Sequence, residues 1–367
     1  GLKMVKYIRE SLLKTPGKPN PPTYGVLQED GLAEVVRPMG LNESLFEPSP
    51  RVLEAIVDNL DKIGRYPDAQ PPRLSKKISN MFEIEEDLIV WGNGSEELIK
   101  GAIDLSVPRG KGLVLPVPTF WGYRSIVAAS EAKTKFVNSE DRGLVNVQAI
   151  IDEIDKDTHA VICVTPNNPS GFCLSEEEIQ KLFFSIDIDT LLIVDEAYCE
   201  FGQHAGGPDV LACLKKRKGP WVSIRTFSKS YSMAGMRVGY AICSDTMLAD
   251  ALKKTTCVFN LPILGIVAAA AALDDEDHLK MLMEKVSKGR EQLDNGLREM
   301  SLSPLLSATN FISVELPVDG KKVAQSMLEK GVQIHAWPDP GYENYIRITI
   351  GTAADNSFCL NILKEIL

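Results

Sequence analysis

Leu191-Leu192-Ile193-Val194-Asp195-Glu196-Ala197-Tyr198 is the stretch from which the fold is read. Four consecutive aliphatic residues with no polar alternation predict a strand buried on both faces, which is typical of a parallel sheet covered by helices. The same signature recurs at residues 88–91, 112–115, 160–164 and 221–224. Between these runs lie amphipathic helical patterns at 96–105 and 175–184, and Ser175 with Glu178 forms a capping-box sequence for the second. Strands alternating with helices predict an α/β domain with a largely parallel sheet. Sheets of that kind bind ligands beyond the carboxyl ends of their strands, so the residues just after each run are the candidates for chemistry.

The flanking regions read differently. Residues 1 to about 50 carry Pro16, Pro19, Pro21, Pro22, Pro38, Pro48 and Pro50, the texture of an extended arm. Ser49-Pro50 then opens a helix with apolar residues at helical spacing. After residue 260 a long helical pattern (280–300), an alternating and half-exposed strand (310–315), a helix (320–330) and a strand (345–350) predict a smaller α+β domain. The expected organisation is an N-terminal arm with a small-domain segment over 1–50, a large domain over 51–260 and a small domain over 261–367.

Composition narrows the function classes. A net charge of −10 disfavours nucleic acid and anionic membrane, which need clustered positive surface. The one basic run, Lys215-Lys216-Arg217-Lys218, reads as a solvated loop. Seven scattered cysteines without a C-x-x-C pair, and four histidines out of helical reach of one another, predict neither a disulfide framework nor a metal site. A reducing, cytoplasmic setting is expected. Gly1 to Lys6 is too charged for a signal peptide, and the most apolar run, 261–273, is too short to span a bilayer.

Five strand ends carry polar residues that demand an explanation. Asp195, directly after four aliphatics, is either a helix cap or a carboxylate placed for a cationic ring nitrogen. Lys229, in Thr226-Phe227-Ser228-Lys229, is either exposed or a Schiff-base lysine, with hydroxyls and Arg237 nearby to hold a phosphate. Gly235 and Gly239 would allow close backbone approach around that arginine. Pro166-Asn167-Asn168-Pro169 is a turn, or a means of bringing an amide to a ring hydroxyl. Gly92-Asn93-Gly94-Ser95-Glu96 opens a helix whose free N–H groups suit an anion. Phe120, Trp121 and Tyr123 are core, or stack on a flat ring.

Taken in order and spacing, these segments resemble fold type I aminotransferases that depend on pyridoxal 5′-phosphate (PLP), most closely the histidinol-phosphate aminotransferase branch. Further markers are Asn42-Glu43 ahead of Pro48-Ser49-Pro50, Arg65-Tyr66-Pro67-Asp68, and Arg347-Ile348-Thr349-Ile350-Gly351. The resemblance implies a large domain with a mainly parallel seven-stranded sheet between helices, plus a smaller α+β domain. It implies that Lys229 binds the cofactor as a Schiff base and shuttles the proton at the substrate α-carbon. Asp195 would pair with the ring nitrogen, Tyr198 and Asn168 would reach the ring oxygen, and Phe120 would stack on the ring. The cofactor phosphate would be held by Ser95, Glu96, Thr226, Ser228 and Arg237, and by Tyr66 of a second subunit in a homodimer. Arg347 would fork onto the substrate carboxylate.

Two departures from that branch bear on the substrate. His335 stands where arginine is usual, a shorter side chain whose charge depends on pH. Ser44-Leu45-Phe46-Glu47 replaces the usual Asn-Pro-Tyr-Gly. The default reaction is ping-pong amino transfer between histidinol phosphate and a 2-oxo acid such as 2-oxoglutarate. An aromatic or other amino donor, a decarboxylase resembling threonine-phosphate decarboxylase, and a non-catalytic binding domain are the alternatives.

Overall fold

The computed structural model describes residues 5–15, 17, 21–29, 36–139 and 141–367. Its centre is a sheet of seven strands: β1 (Ile89–Asn93), β2 (Gly112–Val117), β3 (Lys133–Asn138), β4 (Thr158–Val164), β5 (Leu191–Asp195), β6 (Trp221–Thr226) and β7 (Val238–Cys243). Their spatial order is β1-β7-β6-β5-β4-β2-β3. Six strands run the same way, and β7 runs against both of its neighbours. The five aliphatic runs are all strands. The other two had weaker signals: β3 is a polar edge strand with exposed positions, and the apolar run of β7 is interrupted by Gly239.

Period-two alternation sorts the strand side chains into two cores. Trp91, Val161, Val194 and Tyr240 face one set of helices, which includes Pro50–Val57, Pro72–Phe82 and Glu176–Ser185. Val90, Ile162, Ile193 and Ala241 face the other, built on Ser95–Ser106, Gly122–Ser130 and Thr246–Thr255. Ser175 and Glu178 do form the reciprocal capping box.

The basic run at 215–218 is not simply a solvated loop. Its lysines are exposed, but Arg217 is buried and its two Nη atoms donate to the carbonyls of Phe183, Ile186, Asp187 and Thr190 at 2.7–2.8 Å. The guanidinium thereby caps the carboxyl end of the helix Glu176–Ser185, whose last carbonyls have no partner within the helix. Arg217→Ala should cost about 3–4 kcal/mol, since each abandoned buried acceptor is worth roughly 1 kcal/mol. A urea midpoint unchanged from the parent protein would refute that assignment.

The smaller body has its own core, with Leu282, Val286, Phe311, Ile346, Ile348 and Leu363 among its members. Its sheet, β8 (Phe311–Glu315), β9 (His335–Ala336) and β10 (Tyr345–Thr349), has the antiparallel order β9-β10-β8. The expected half exposure of the 310–315 strand is not seen: Phe311, Ile312, Ser313 and Val314 are all buried. Met39 joins this core, and Arg37–Pro38 pairs with Val332–Gln333, so the chain just before residue 50 is stitched to the small body. The arm itself contains the short helices Glu10–Lys14 and Tyr24–Glu29.

The helix Ile263–Leu273 packs on Pro50–Val57 and Pro72–Phe82 and puts Ala268, Ala269 and Ala272 into the core of the large sheet. The expected division at 260/261 thus falls within one hydrophobic core, and the chain enters the small-body core on the next helix, Glu276–Glu299. Among the described residues no helix is long and apolar enough to cross a membrane.

Candidate active site

Strands pointing one way deliver their following loops to one edge of the sheet. Ser95 follows β1, Phe120 follows β2, Asn168 follows β4, Asp195 ends β5 and Lys229 follows β6. The reversed β7 starts at that same edge, which brings Arg237, the residue before it, to the others. Here they line a cavity of 470 Å³ together with His335 and Arg347 of the small sheet.

Lys229 lies in the loop between β6 and β7, its Nζ donating to the Leu41 carbonyl at 3.3 Å. Burial, with Arg347 and Arg237 nearby, brings its ammonium pKa down from 10.5 to about 8, against the opposing pull of Glu43 and Asp195. Asp195 is buried and accepts from Tyr123 Oη at 2.7 Å and from the Ala197 amide at 3.1 Å. Desolvation pushes its carboxyl up, and the two hydrogen bonds and Lys229 only partly offset that. A buried carboxylate held by neutral donors is a site that a cation would stabilise.

The neighbouring groups are oriented by partners of their own. Arg347 donates from Nη1 to Asn168 Oδ1 and from Nη2 to the Gly40 carbonyl, both at 2.7 Å. That uses two of its five N–H donors, and Nε has no partner among the described residues. Asn168, its oxygen engaged, keeps its Nδ2 protons for another acceptor. Tyr198 Oη accepts from Asn42 Nδ2 at 3.0 Å and so keeps its proton for donation; burial raises its pKa to about 12.

At the other end, Gly94 takes φ +75° before the helix Ser95–Ser106, and a Cβ there would strike the Arg237 guanidinium. A Cβ on Gly239 would come within 2.6 Å of the Ser95 amide nitrogen. The expectation of close approach holds for Gly239 but not for Gly235, which has open space around it. Arg237 Nη1 lies 3.5 Å from Ser228 Oγ, and Thr226 Oγ1 accepts from the Ser228 amide at 3.0 Å. Helix N–H groups, two hydroxyls and a guanidinium make a cradle for a phosphate. A buried acid at one end, an amine of lowered pKa in the middle and this cradle match the three polar ends of PLP, so the residues present fit that group.

The cavity holds every expected site residue except Tyr66, which is 83% exposed and stacks on Phe259 at 4.8 Å. His335 differs from expectation in charge: burial, then Arg347, brings its pKa down to about 3, so it is neutral throughout the physiological range. Sequence reasoning offered Tyr123 only as core or as a ring stacking on a flat group, not as a partner of Asp195, and gave Asn42 and Asp339 no role. Tyr123 stands three residues after Phe120, one helical turn on, which could have suggested a second inward-facing aromatic. Asn42 takes φ 57°, a conformation asparagine tolerates better than most residues.

Comparison with known proteins agrees with this geometry. The family model for aminotransferase class I and II matches residues 35–363. Among curated proteins, histidinol-phosphate aminotransferase 2 of Carboxydothermus hydrogenoformans is 31% identical over 365 residues, 99% of each chain. Histidinol-phosphate aminotransferase of Halalkalibacterium halodurans is 32% identical over 352 residues, 96% of this chain and 94% of the relative. Among solved structures, the Sinorhizobium meliloti histidinol-phosphate aminotransferase in complex with pyridoxal-5′-phosphate has a TM-score of 0.88 at 24% identity, covering 100% of both chains. Thermus thermophilus aspartate aminotransferase with maleate has a TM-score of 0.84 at 18% identity, covering 99% of this chain and 100% of that one. Both structures bear on the fold alone.

Proposed function

Because the chain belongs to the class I and II aminotransferase family, we propose that it uses PLP to move the amino group of histidinol phosphate to a 2-oxo acid. The observation that carries this reading is Lys229, an amine of lowered pKa sharing one cavity with Asp195, Asn168, Tyr198, Arg237 and Arg347. When bound, the cofactor supplies an electron sink for the charge left at the donor α-carbon. Lys229 attaches the cofactor and moves the proton at that carbon. Asp195, aligned by Tyr123, holds the ring nitrogen in its protonated form. Tyr198 and Asn168 donate to the ring oxygen with the protons their own partners leave free. Phe120 covers the ring face.

The Ser95 and Glu96 amides, Thr226, Ser228 and Arg237 would hold the cofactor phosphate. Arg347 grips the anionic head of the donor with the Nη protons that Asn168 and Gly40 leave free. Mixing the loaded protein with candidate donors and following the cofactor absorbance tests the reading. A spectrum unmoved by any amino donor would refute it.

The active unit we propose is a homodimer. Leu53, Val57, Leu60 and Ile63, on the segment of chain that leads to Tyr66, are exposed, and Tyr66 itself stands outside its own cavity. These features suit a face on which Tyr66 enters the partner's site. A fully active monomer in sedimentation would exclude that assembly. The cytosol is the proposed compartment, which suits seven unpaired thiols. The proposed small domain takes over at the helix Glu276–Glu299, after Ile263–Leu273 has packed on the large sheet.

His335 tests how the donor head is held. A neutral imidazole beside Arg347 leaves a phosphate with one guanidinium. His335→Arg should raise kcat/KM for histidinol phosphate about tenfold, the value of one charge-assisted hydrogen bond, and act less on histidine. Equal values for parent and variant would sink this argument.

A further inference from the structure

The acid Asp195 ends β5, and the amine Lys229 follows the adjacent β6. The residue after each, Glu196 and Ser230, is 1% exposed and does not line the cavity. Both enter a buried polar cluster to which no part of the reaction has been assigned. Glu196 Oε2 accepts from Ser223 Oγ and, at 3.1 Å, from Arg225 Nη2, both on β6. Arg225 is itself buried, its guanidinium 4.6 Å from the centre of the Phe82 ring. Ser230 Oγ donates to Glu200 Oε1 at 2.9 Å, and Cys199 Sγ donates to Glu200 Oε2 at 2.8 Å. Glu200 belongs to the short helix Cys199–His204, which begins directly after Tyr198.

The two acids hold different things. The Arg225–Glu196 pair joins β5 to β6, which their own ladder already joins. The Ser230–Glu200 bond joins parts that no ladder reaches, the loop carrying Lys229 and the segment carrying Asp195 and Tyr198. Among the described residues it is the only side-chain hydrogen bond between 227–233 and 195–204. Two other side-chain bonds of the loop run elsewhere, from Lys229 Nζ to the Leu41 carbonyl and from Ser232 Oγ to Ser44 Oγ. Packing of Phe227 on Tyr231 and Trp91 anchors the loop, but apolar contact is non-directional. The amine and the acid have to meet different ends of one rigid ring, so their spacing tolerates little error. A misplacement of about 1 Å can cost on the order of 10²-fold in rate.

We propose that Glu200 is a positioning residue: through Ser230 it clamps the Lys229 loop to the segment that carries Asp195 and Tyr198, and so fixes where the amine stands. The proposal rests on the aminotransferase reading and adds to it what sets the geometry of that site. Neither Glu200 nor Ser230 touches the cavity, so both act through Lys229.

Ser230→Ala and Glu200→Ala break the clamp, whereas Glu200→Gln keeps an oxygen for the Ser230 hydroxyl. Acetic anhydride labelling of the cofactor-free full chain across pH, read by peptide mass at residue 229, titrates the amine without any turnover. The parent midpoint is expected at about 8. A released loop lets water reach the amine, so the midpoint should rise by about one pH unit in both alanine variants. It should return to the parent value in Glu200→Gln. In the loaded enzyme the alanine variants should lose roughly tenfold or more in kcat, with little change in KM. Arg217→Ala, which weakens the fold away from the cavity, is the control and should leave both readouts unchanged. A midpoint that stays with the parent while the urea midpoint falls is what a merely structural bond would give, and it would overturn the proposal. Should Glu200→Ala fail to fold, Ser230→Ala, which removes a single oxygen, decides the matter. A shifted midpoint in a chain that converts no donor removes amino transfer and keeps the clamp. Normal turnover with an unmoved midpoint removes the clamp alone.

Discussion

Lys229→Ala should abolish covalent cofactor attachment and lower amino transfer by roughly 10³–10⁶-fold, the range seen when a central catalytic group is removed. On the proposed reading the amine would have two tasks that no neighbour can take over, attaching the cofactor and carrying a proton at the donor α-carbon. Both need the neutral amine. Moving the pKa from 10.5 to about 8 raises the neutral fraction at pH 7 about 300-fold. Because the shift is downward, the neutral form dominates above pH 8 and is lost as pH falls. Capture of cofactor by cofactor-free protein should therefore slow about tenfold per pH unit below 8. Borohydride reduction followed by peptide mapping measures the attachment: a pyridoxyl group on residue 229 is expected in the parent protein and none in the variant. Label at another lysine would refute the assignment. Removing a side chain held by one long hydrogen bond, 3.3 Å to the Leu41 carbonyl, should keep the circular dichroism spectrum intact.

Asp195→Asn should lower the half-reaction rate by about 10³-fold, corresponding to about 4 kcal/mol of transition-state stabilisation. The side chain is buried at the end of a central strand, and its partners Tyr123 and Ala197 both donate to it. Its environment is therefore arranged for an acceptor, and desolvation makes a bare negative charge costly there until a cation arrives. Asparagine preserves the shape but brings no charge to keep a ring nitrogen protonated. It also presents an N–H where one of the two donors expects an acceptor. Stopped-flow absorbance with a saturating donor measures the loss. A rate within a few-fold of the parent would show that this carboxylate does not sustain the electron sink.

Much of the site was legible in the linear chain because buried parallel strands leave a strong local mark. An acid at the end of Leu191-Leu192-Ile193-Val194, or a lysine just past 221–226, contrasts sharply with the aliphatics before it. The edge strand Lys133–Asn138 leaves no such mark, since solvent on its open side allows polar residues. Arg217 shows the opposite failure. A basic run reads as surface, yet one member turns inward because a helix end leaves carbonyls that need donors.

By itself the sequence determined the alternating α/β architecture and marked Lys229, Asp195 and Arg237 as polar residues beyond strand ends, because each contrasts with the aliphatic run beside it; Arg347 was marked by the family resemblance alone. Only the tertiary structure decided which groups act on one another. It put the Tyr123 hydroxyl on Asp195, gave Asn168 to Arg347, left His335 uncharged and buried Asp339 without a full complement of partners. Protonation and hydrogen bonding depend on solvent exclusion and on neighbours contributed by distant parts of the chain. Those conditions come into being only when the two bodies close around a shared cavity.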